Sequence, residues 1–84
     1  MYKIQIKKSA QKSLLKIPRK TREILAEKIY RLGVDEKGLD IVKINKEKNL
    51  YRLRHGDYRV IYEKLKKELI ILVIRIKHRK EVYR

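Results

Sequence analysis

Apolar residues recur with two different periods along the first third of the chain. In "YKIQIK", residues 2–7, every second residue is apolar, which is the period of a half-buried strand. Ser9 then stands where it can cap a helix, and Pro18 stands where it would end that helix. Between them, Ala10, Leu14 and Ile17 recur at helical spacing. The pattern predicts one strand followed by one short helix.

A second apolar stripe predicts a second helix, which begins near Thr21 and ends at Gly33. Its apolar residues are Ile24, Leu25, Ile29 and Leu32. Residues 34–49 are polar and irregular, with Gly38 as a turn. The apolar residues of this segment either join a strand or dock on the core; they are Ile41, Val42 and Ile44.

Three strands are predicted in the second half of the chain, at about residues 50–55, 58–64 and 69–77. Gly56 and Asp57 suit a two-residue turn with glycine first. That turn sets the register and places Arg54 opposite Arg59. It also places Leu53 opposite Val60 and Arg52 opposite Ile61, so the three arginines should project away from the helices.

The last strand is predicted to have one wholly apolar face and one face that becomes basic at its end. The apolar face consists of Ile70, Leu72, Ile74 and Ile76, and the other of Leu69, Ile71, Val73, Arg75 and Lys77. The element order β-α-α-β-β-β predicts an α+β fold, in which a helix hairpin covers one face of an antiparallel sheet. The length of 84 residues fits a single domain spanning 1–84.

The charge changes the picture from fold to function. The chain carries 25 Lys and Arg against 10 Asp and Glu, a formal net charge of +15, and residues 1–22 contain no acidic residue. Such an excess favours a polyanionic partner, nucleic acid first and an acidic protein second. The longest apolar run is only Leu69–Ile74, and the N-terminus is unlike a signal peptide, so a cytoplasmic location is expected.

The arginines of the hairpin suggest a phosphate site. Two like charges directly opposite each other oppose stability by about 0.2–1 kcal/mol, unless an anion lies between them. Only Asp57 and Glu63 are acidic residues nearby in the sequence. The alternative is that these arginines are ordinary exposed side chains on an uncovered sheet face.

Three segments, "YRLRHGDYRVIYE", "LIILVIRI" and "HRKEVYR", resemble the RelE branch of the RelE/ParE toxin superfamily of toxin–antitoxin modules. The resemblance covers essentially the whole chain and implies the fold predicted above. It implies a toxin that enters the ribosomal A site and cuts the mRNA there, by attack of a ribose 2′-hydroxyl on the adjacent phosphate. It also implies a RelB-like acidic antitoxin and no cofactor. The sequence contains no paired carboxylates, Walker loop or metal-ligand cluster, so metal-dependent nuclease chemistry is not expected.

The resemblance assigns roles to particular residues. Arg59 corresponds to the arginine that clamps the transition state, and Arg52 and Arg54 to paired basic residues of the preceding strand. Arg79 matches a tail arginine that serves the leaving group, although His78 is an alternative for that position. Tyr83 matches a C-terminal tyrosine that acts either as the base or as a stacking platform.

Further basic residues are expected to contact ribosomal or messenger RNA: Arg52, Arg75, Lys77, His78, Lys80 and His55. His78 could alternatively carry a proton, because imidazole titrates near neutrality. Two other functions remain open from the sequence. One is a ParE-like toxin that inhibits gyrase without cutting RNA, and the other is an RNA-binding module without catalysis.

Overall fold

The computed structural model describes residues 1–82, so Tyr83 lies outside the described residues. Two helices and a short terminal helix accompany five strands. In chain order they are β1 (Lys3–Ile6), α1 (Lys8–Leu15), α2 (Arg19–Arg31), β2 (Asp40–Asn45), β3 (Leu50–His55), β4 (Tyr58–Leu65), β5 (Ile70–His78) and α3 (Arg79–Val82). The strands form one sheet in the order β1-β5-β4-β3-β2. The predicted α+β class and helix hairpin are confirmed.

Two features of the sheet differ from the prediction. The segment left open in the sequence forms the edge strand β2, which pairs antiparallel with β3. In addition, β1 runs parallel to β5, whereas β3, β4 and β5 pair antiparallel. The sheet is therefore mixed. The parallel pair arises because both helices lie between β1 and the strands that follow, so the chain crosses the sheet before β5 returns beside β1.

Both helices cover the same face of the sheet and enclose the core. From the helices the core takes Ala10, Ile17, Leu25, Ile29 and Leu32, and from the sheet Leu53, Val60, Tyr62, Ile71, Val73 and Ile76. Ile24 was predicted in the apolar stripe of α2 but is 42% exposed. The helix begins at Arg19, after Pro18, two residues before the predicted start. Neither α1 nor α2 packs on the opposite face of the sheet, and we call it the open face.

A bulge in β5 corrects the predicted faces of that strand. Ile61 pairs with Arg75 and Tyr62 with Val73, so Ile74 is an extra residue in β5. The buried residues are consequently Ile71, Val73 and Ile76, not the predicted set of Ile70, Leu72, Ile74 and Ile76. A bulge changes which face the following side chains occupy. It lets Ile71, Val73 and Ile76 all reach the core, while Arg75 and Lys77 still reach the open face.

The tight hairpin between β3 and β4 follows the prediction closely. His55 pairs with Tyr58 across the turn at Gly56 and Asp57. Gly56 has a φ of 57°, a left-handed conformation that glycine adopts without steric cost. The register is the predicted one: Leu53 with Val60, Arg54 with Arg59 and Arg52 with Ile61.

Candidate RNA-binding site

A row of charged side chains crosses the open face beside this turn. Lys77 of β5 pairs with Arg59 of β4, Arg59 with Arg54 of β3, and Arg54 with Asp40 of β2. We call the three basic residues among them the cation row. Paired residues of adjacent strands lie about 4.5–5.5 Å apart at their Cα atoms. The fold thus brings three positive side chains together on a surface that the helices leave uncovered.

Asp40 compensates one end of the cation row. Arg54 Nε donates a hydrogen bond to Asp40 Oδ2 at 3.0 Å, and both side chains are about half exposed. The pairing with Asp40 was not predicted from the sequence, because the strand that carries Asp40 was left unassigned there. The β-branched residues of "DIVKIN", Ile41, Val42 and Ile44, were the signal that could have revealed it. Arg59 lies between Arg54 and Lys77, and residues 1–80 provide no carboxylate that forms an ion pair with it.

The start of the tail closes one side of a cleft next to the cation row. The backbone N–H of Arg79 donates to the carbonyl oxygen of Asp57 at 2.6 Å, and Arg79 Nη1 lies 3.8 Å from Asp57 Oδ1. The resulting cleft has a volume of about 200 Å³ and is lined by Arg54, Gly56, Asp57, Arg59 and Arg79. Three of the four residues assigned to catalysis from the sequence therefore meet in one place. The fourth, Tyr83, lies outside the described residues.

The second row on the open face holds Arg52 and Arg75. Arg75 pairs with Ile61, Ile61 with Arg52, and Arg52 with Val42. Arg52 is half-buried, and its Nε has no hydrogen-bond partner among the described residues. A buried donor without a partner costs free energy. Arg52 thus extends the positive surface from the cation row toward the apolar part of the sheet.

The two histidines lie on the helix side of the sheet, away from the cleft. His55 Nδ1 is 2.8 Å from Lys28 Nζ of α2. Since an ammonium can only donate, this imidazole accepts the hydrogen bond. His78 stacks edge-on against Tyr58 with 4.9 Å between ring centroids, and its Nδ1 accepts a hydrogen bond from the backbone N–H of Lys80 at 3.1 Å. These contacts favour structural or RNA-contacting roles over proton transfer in the cleft.

Tyr62 is also unsuited to act as a base. It is buried on the helix side, 1% exposed, and stacks on Tyr51 with 5.4 Å between ring centroids. Burial raises the pKa of Tyr62, and the negative charge of Glu36 raises it further. Its hydroxyl therefore stays protonated at neutral pH. The described part of the cleft supplies cations that can bind and stabilise a phosphate, and the carboxylate in its lining, that of Asp57, is paired with Arg79.

Neither a metal site nor a membrane span is found in the described part of the chain. No three His, Asp or Glu side chains within it are grouped so that they could hold a metal ion. No helix there is long and apolar enough to cross a membrane. Lys80, the remaining residue predicted to contact RNA, is exposed in α3.

A small sheet with a helix hairpin on one face and arginines on the other defines a class of toxin folds. The sequence model described as "ParE toxin of type II toxin-antitoxin system, parDE" matches residues 4–83. The chain belongs to the RelE/ParE superfamily of toxins from type II toxin–antitoxin systems. A comparison with proteins of curated function finds no match.

Solved structures of RelE proteins are similar to this chain over nearly its full length. The archaeal RelE–RelB complex from Pyrococcus horikoshii is 32% identical and covers 93% of this chain and 94% of its own, with a TM-score of 0.70. The RelB–RelE complex from Methanococcus jannaschii is 31% identical and covers 93% of each chain, with a TM-score of 0.70. The isolated RelE toxin of E. coli is 21% identical, covers 99% of this chain and 92% of its own, and has the same fold, with a TM-score of 0.78.

Proposed function

We propose that this toxin is a ribosome-dependent endoribonuclease that cuts mRNA in the A site and thereby inhibits translation in the cytoplasm. The observation that carries the proposal is the meeting of Arg54, Arg59 and Arg79 around one open cleft. Like-charged residues opposite each other weaken a hairpin. The presence of arginines opposite each other is explained if the cleft binds a phosphodiester, because arginine binds phosphate oxygens with two parallel hydrogen bonds.

In the proposed reaction, the ribose 2′-oxygen bonds to the adjacent phosphorus while the bond from phosphorus to the 5′-oxygen breaks. The 2′-hydroxyl loses its proton to a base, the leaving 5′-oxygen gains a proton, and a 2′,3′-cyclic phosphate remains. Charge accumulates on the non-bridging oxygens in the transition state. Arg59 and Arg54 stabilise that charge, since fixed cations act most strongly where charge develops.

We assign Arg79 to the leaving group. It is anchored through its backbone to Asp57, so its guanidinium stays beside the cleft. Arginine remains protonated at neutral pH, so its role is to stabilise the 5′-oxyanion until it takes up a proton. The base is Tyr83 if its deprotonated phenolate oxygen, favoured by the surrounding positive charge, accepts the 2′ proton. If Tyr83 only stacks on a base of the mRNA, another group of the cleft or of the ribosome must accept the proton.

We further propose that an acidic, RelB-like antitoxin holds the toxin inactive. The Pyrococcus horikoshii and Methanococcus jannaschii relatives are both described as complexes of RelE with RelB. A chain with a formal net charge of +15 and an uncovered cation row would bind polyanions indiscriminately without such a partner. Co-purification from the native operon at physiological salt should yield a complex. Recovery of the chain alone would contradict this part of the proposal.

A second candidate function is supported by the matching family, which is described as the ParE toxin. In that case the toxin would bind and inhibit gyrase without cutting RNA. Two assays with the purified chain separate the candidates. Primer extension on mRNA bound to purified ribosomes detects cleavage, and a plasmid supercoiling assay detects gyrase inhibition.

The proposed function predicts cleavage and unchanged supercoiling. Inhibited supercoiling without cleavage would instead establish the ParE-like function. Binding of RNA with neither effect would indicate a non-catalytic RNA-binding module. The mRNA without ribosomes serves as the control for contaminating ribonucleases, since the proposed enzyme requires the ribosome.

A further inference from the structure

A groove lies between α1 and β5, on the side of the sheet opposite the catalytic cleft. Because β1 pairs only with Ile70–Val73, the remaining part of β5 has α1, and not a strand, beside the edge that faces away from β4. Two adjoining cavities of about 190 and 250 Å³ open there and share Ser13, Ile76 and Lys77 in their linings. We call them together the α1–β5 groove.

The polar lining of the α1–β5 groove is suited to an anion. Its polar and basic residues include Ser9, Ser13, Lys16, Arg75, Lys77 and His78, and neither cavity is lined by an acidic residue. The seryl hydroxyls can donate hydrogen bonds to phosphate oxygens. In a neutral His78 ring, Nδ1 accepts from Lys80, so the proton lies on Nε2, which remains available as a donor.

The floor of the groove is apolar and aromatic, which fits a nucleotide better than an isolated anion. Ile17 and Ile76 line it and are nearly fully buried. Tyr58 lines the same cavity and meets His78 edge to face. Aromatic rings beside a positive groove are the usual platform for bases of single-stranded nucleic acid.

The groove and the catalytic cleft are continuous around the end of β5. Lys77 borders the groove and is also the cross-strand neighbour of Arg59 in the cation row. Likewise, Tyr58 and His78 pair with each other one residue beyond Arg59 and Lys77. A strand of RNA held in the cleft could pass this end of the sheet without leaving positively charged surface.

We propose that the α1–β5 groove binds the phosphodiester backbone of single-stranded RNA as a second, non-catalytic site. The assignment of that RNA to message or ribosomal RNA rests on the proposed ribosome-dependent function, but RNA binding in the groove does not. An acidic segment of the antitoxin is the competing occupant, and the experiment distinguishes it.

The test uses the full chain and an RNA of 12 nucleotides whose 2′-hydroxyls are all methylated. Methylation blocks the proposed cleavage, so binding is measured whether or not the protein is a ribonuclease. Lys16→Ala removes one groove cation from an exposed position just after the end of α1. Lys67→Ala is the matched control, because Lys67 is exposed in the turn between β4 and β5 and lines neither cavity.

Fluorescence anisotropy across a salt series gives both affinity and its salt dependence. Lys16→Ala is expected to weaken RNA binding about threefold to tenfold and to reduce the magnitude of the log–log salt slope by about 0.7, the value for one phosphate contact on a single strand. Lys67→Ala should leave the affinity within about twofold. Equal effects of the two substitutions would overturn the proposal.

Two further measurements identify the occupant. Two ribosome preparations are used, one with an mRNA that ends before the A site and one with an mRNA that extends through it. Each is titrated with the wild-type chain and with the Lys16→Ala chain. Weakened binding to both assigns the groove to ribosomal RNA, and weakened binding only with mRNA assigns it to the message. If Lys16→Ala leaves RNA and ribosome binding unchanged but weakens the complex with the antitoxin, the groove is a protein-binding surface and the proposal is wrong.

Discussion

Arg59 is the residue on which the proposed chemistry depends most. It lies between Arg54 and Lys77 in adjacent strands, and Asp40 pairs with Arg54 on the far side. Its guanidinium is therefore the centre of the uncompensated positive charge in the described part of the cleft. The same position contributes nothing to the core, which lies on the other face of the sheet. Function and stability can thus be separated at this residue.

Arg59→Ala is expected to lower ribosome-dependent mRNA cleavage by at least about a hundredfold, the usual cost of losing one group that stabilises transition-state charge. The free energy of unfolding should stay equal or rise by up to about 0.5 kcal/mol, because a like-charge pair across the hairpin is removed. Primer extension and urea denaturation measure the two effects.

Arg59→Lys should restore only part of the cleavage, because an ammonium cannot grip two phosphate oxygens at once. Arg19→Ala is the charge-matched control, since Arg19 is exposed on α2 and pairs with Glu23. Arg59→Ala that unfolds the protein, or that cuts ribosome-bound mRNA at the parental rate, would refute the assignment.

Tyr83→Phe separates proton transfer from stacking, because the phenyl ring can still stack on a base while the hydroxyl is lost. We expect ribosome binding to persist in either case. Lost cleavage with retained binding would assign Tyr83 as the base, and retained cleavage would assign it to stacking. Cleavage and binding are measured on the same ribosome preparation, with Tyr30→Phe, an exposed tyrosine of α2, as the control.

At the level of elements, the sequence predicted those parts of the fold that interactions between residues close in sequence determine. The turn at Gly56 and Asp57 sets the register of its hairpin, so the opposition of Arg54 and Arg59 followed from the sequence. The bulge at Ile74 could not be predicted, because its cause is the packing of Ile71, Val73 and Ile76 against the helices. The pairing of Arg54 with Asp40 was missed for a similar reason: it requires the edge strand β2, whose partner is distant in sequence.

The end of α2 contacts the chain just before β1, and disturbing this contact should lower the free energy of unfolding measurably. Gly33 follows α2, and its carbonyl accepts a hydrogen bond from the Tyr2 N–H at 2.9 Å. A Cβ at Gly33 would lie 2.4 Å from the carbonyl oxygen of Tyr2. Gly33→Ala must therefore push the helix end away from β1, and we expect a loss of about 3 kcal/mol in the free energy of unfolding.

Gly38→Ala provides the contrast for Gly33→Ala. Gly38 has a φ of 81°. Apart from its chain neighbours, no heavy atom lies within 4 Å of the position that a Cβ would take, so only backbone strain opposes an alanine there. The expected loss is about 1 kcal/mol. Urea denaturation of both variants ranks the two effects, and a smaller loss for Gly33→Ala than for Gly38→Ala would contradict the close contact between α2 and β1.

At the level of the whole molecule, positive charge lies on both sides of the sheet near the C-terminal end of β5. The cation row lies on the open face, and the α1–β5 groove lies on the side of the helices. Residues 1–22 add further lysines and arginines without any acidic residue. The sequence predicted the sign of this field and the class of partner, but not its continuity around the end of β5, which depends on β1 being too short to pair with that end.

Binding to ribosomes should consequently depend steeply on salt, because each lysine or arginine that contacts a phosphate releases condensed counterions. If about five phosphates are neutralised, the log–log slope is about −3.5, and a fourfold rise in salt weakens binding about a hundredfold. Replacing Arg52 and Arg54 together by glutamine should reduce the magnitude of the slope by about 1.4, the value for two contacts. The same replacement at Lys66 and Lys67, exposed in the turn at the opposite end of the sheet, should leave the slope unchanged. Equal slopes for the two double variants would show that net charge alone, and not the open face, determines docking on the ribosome.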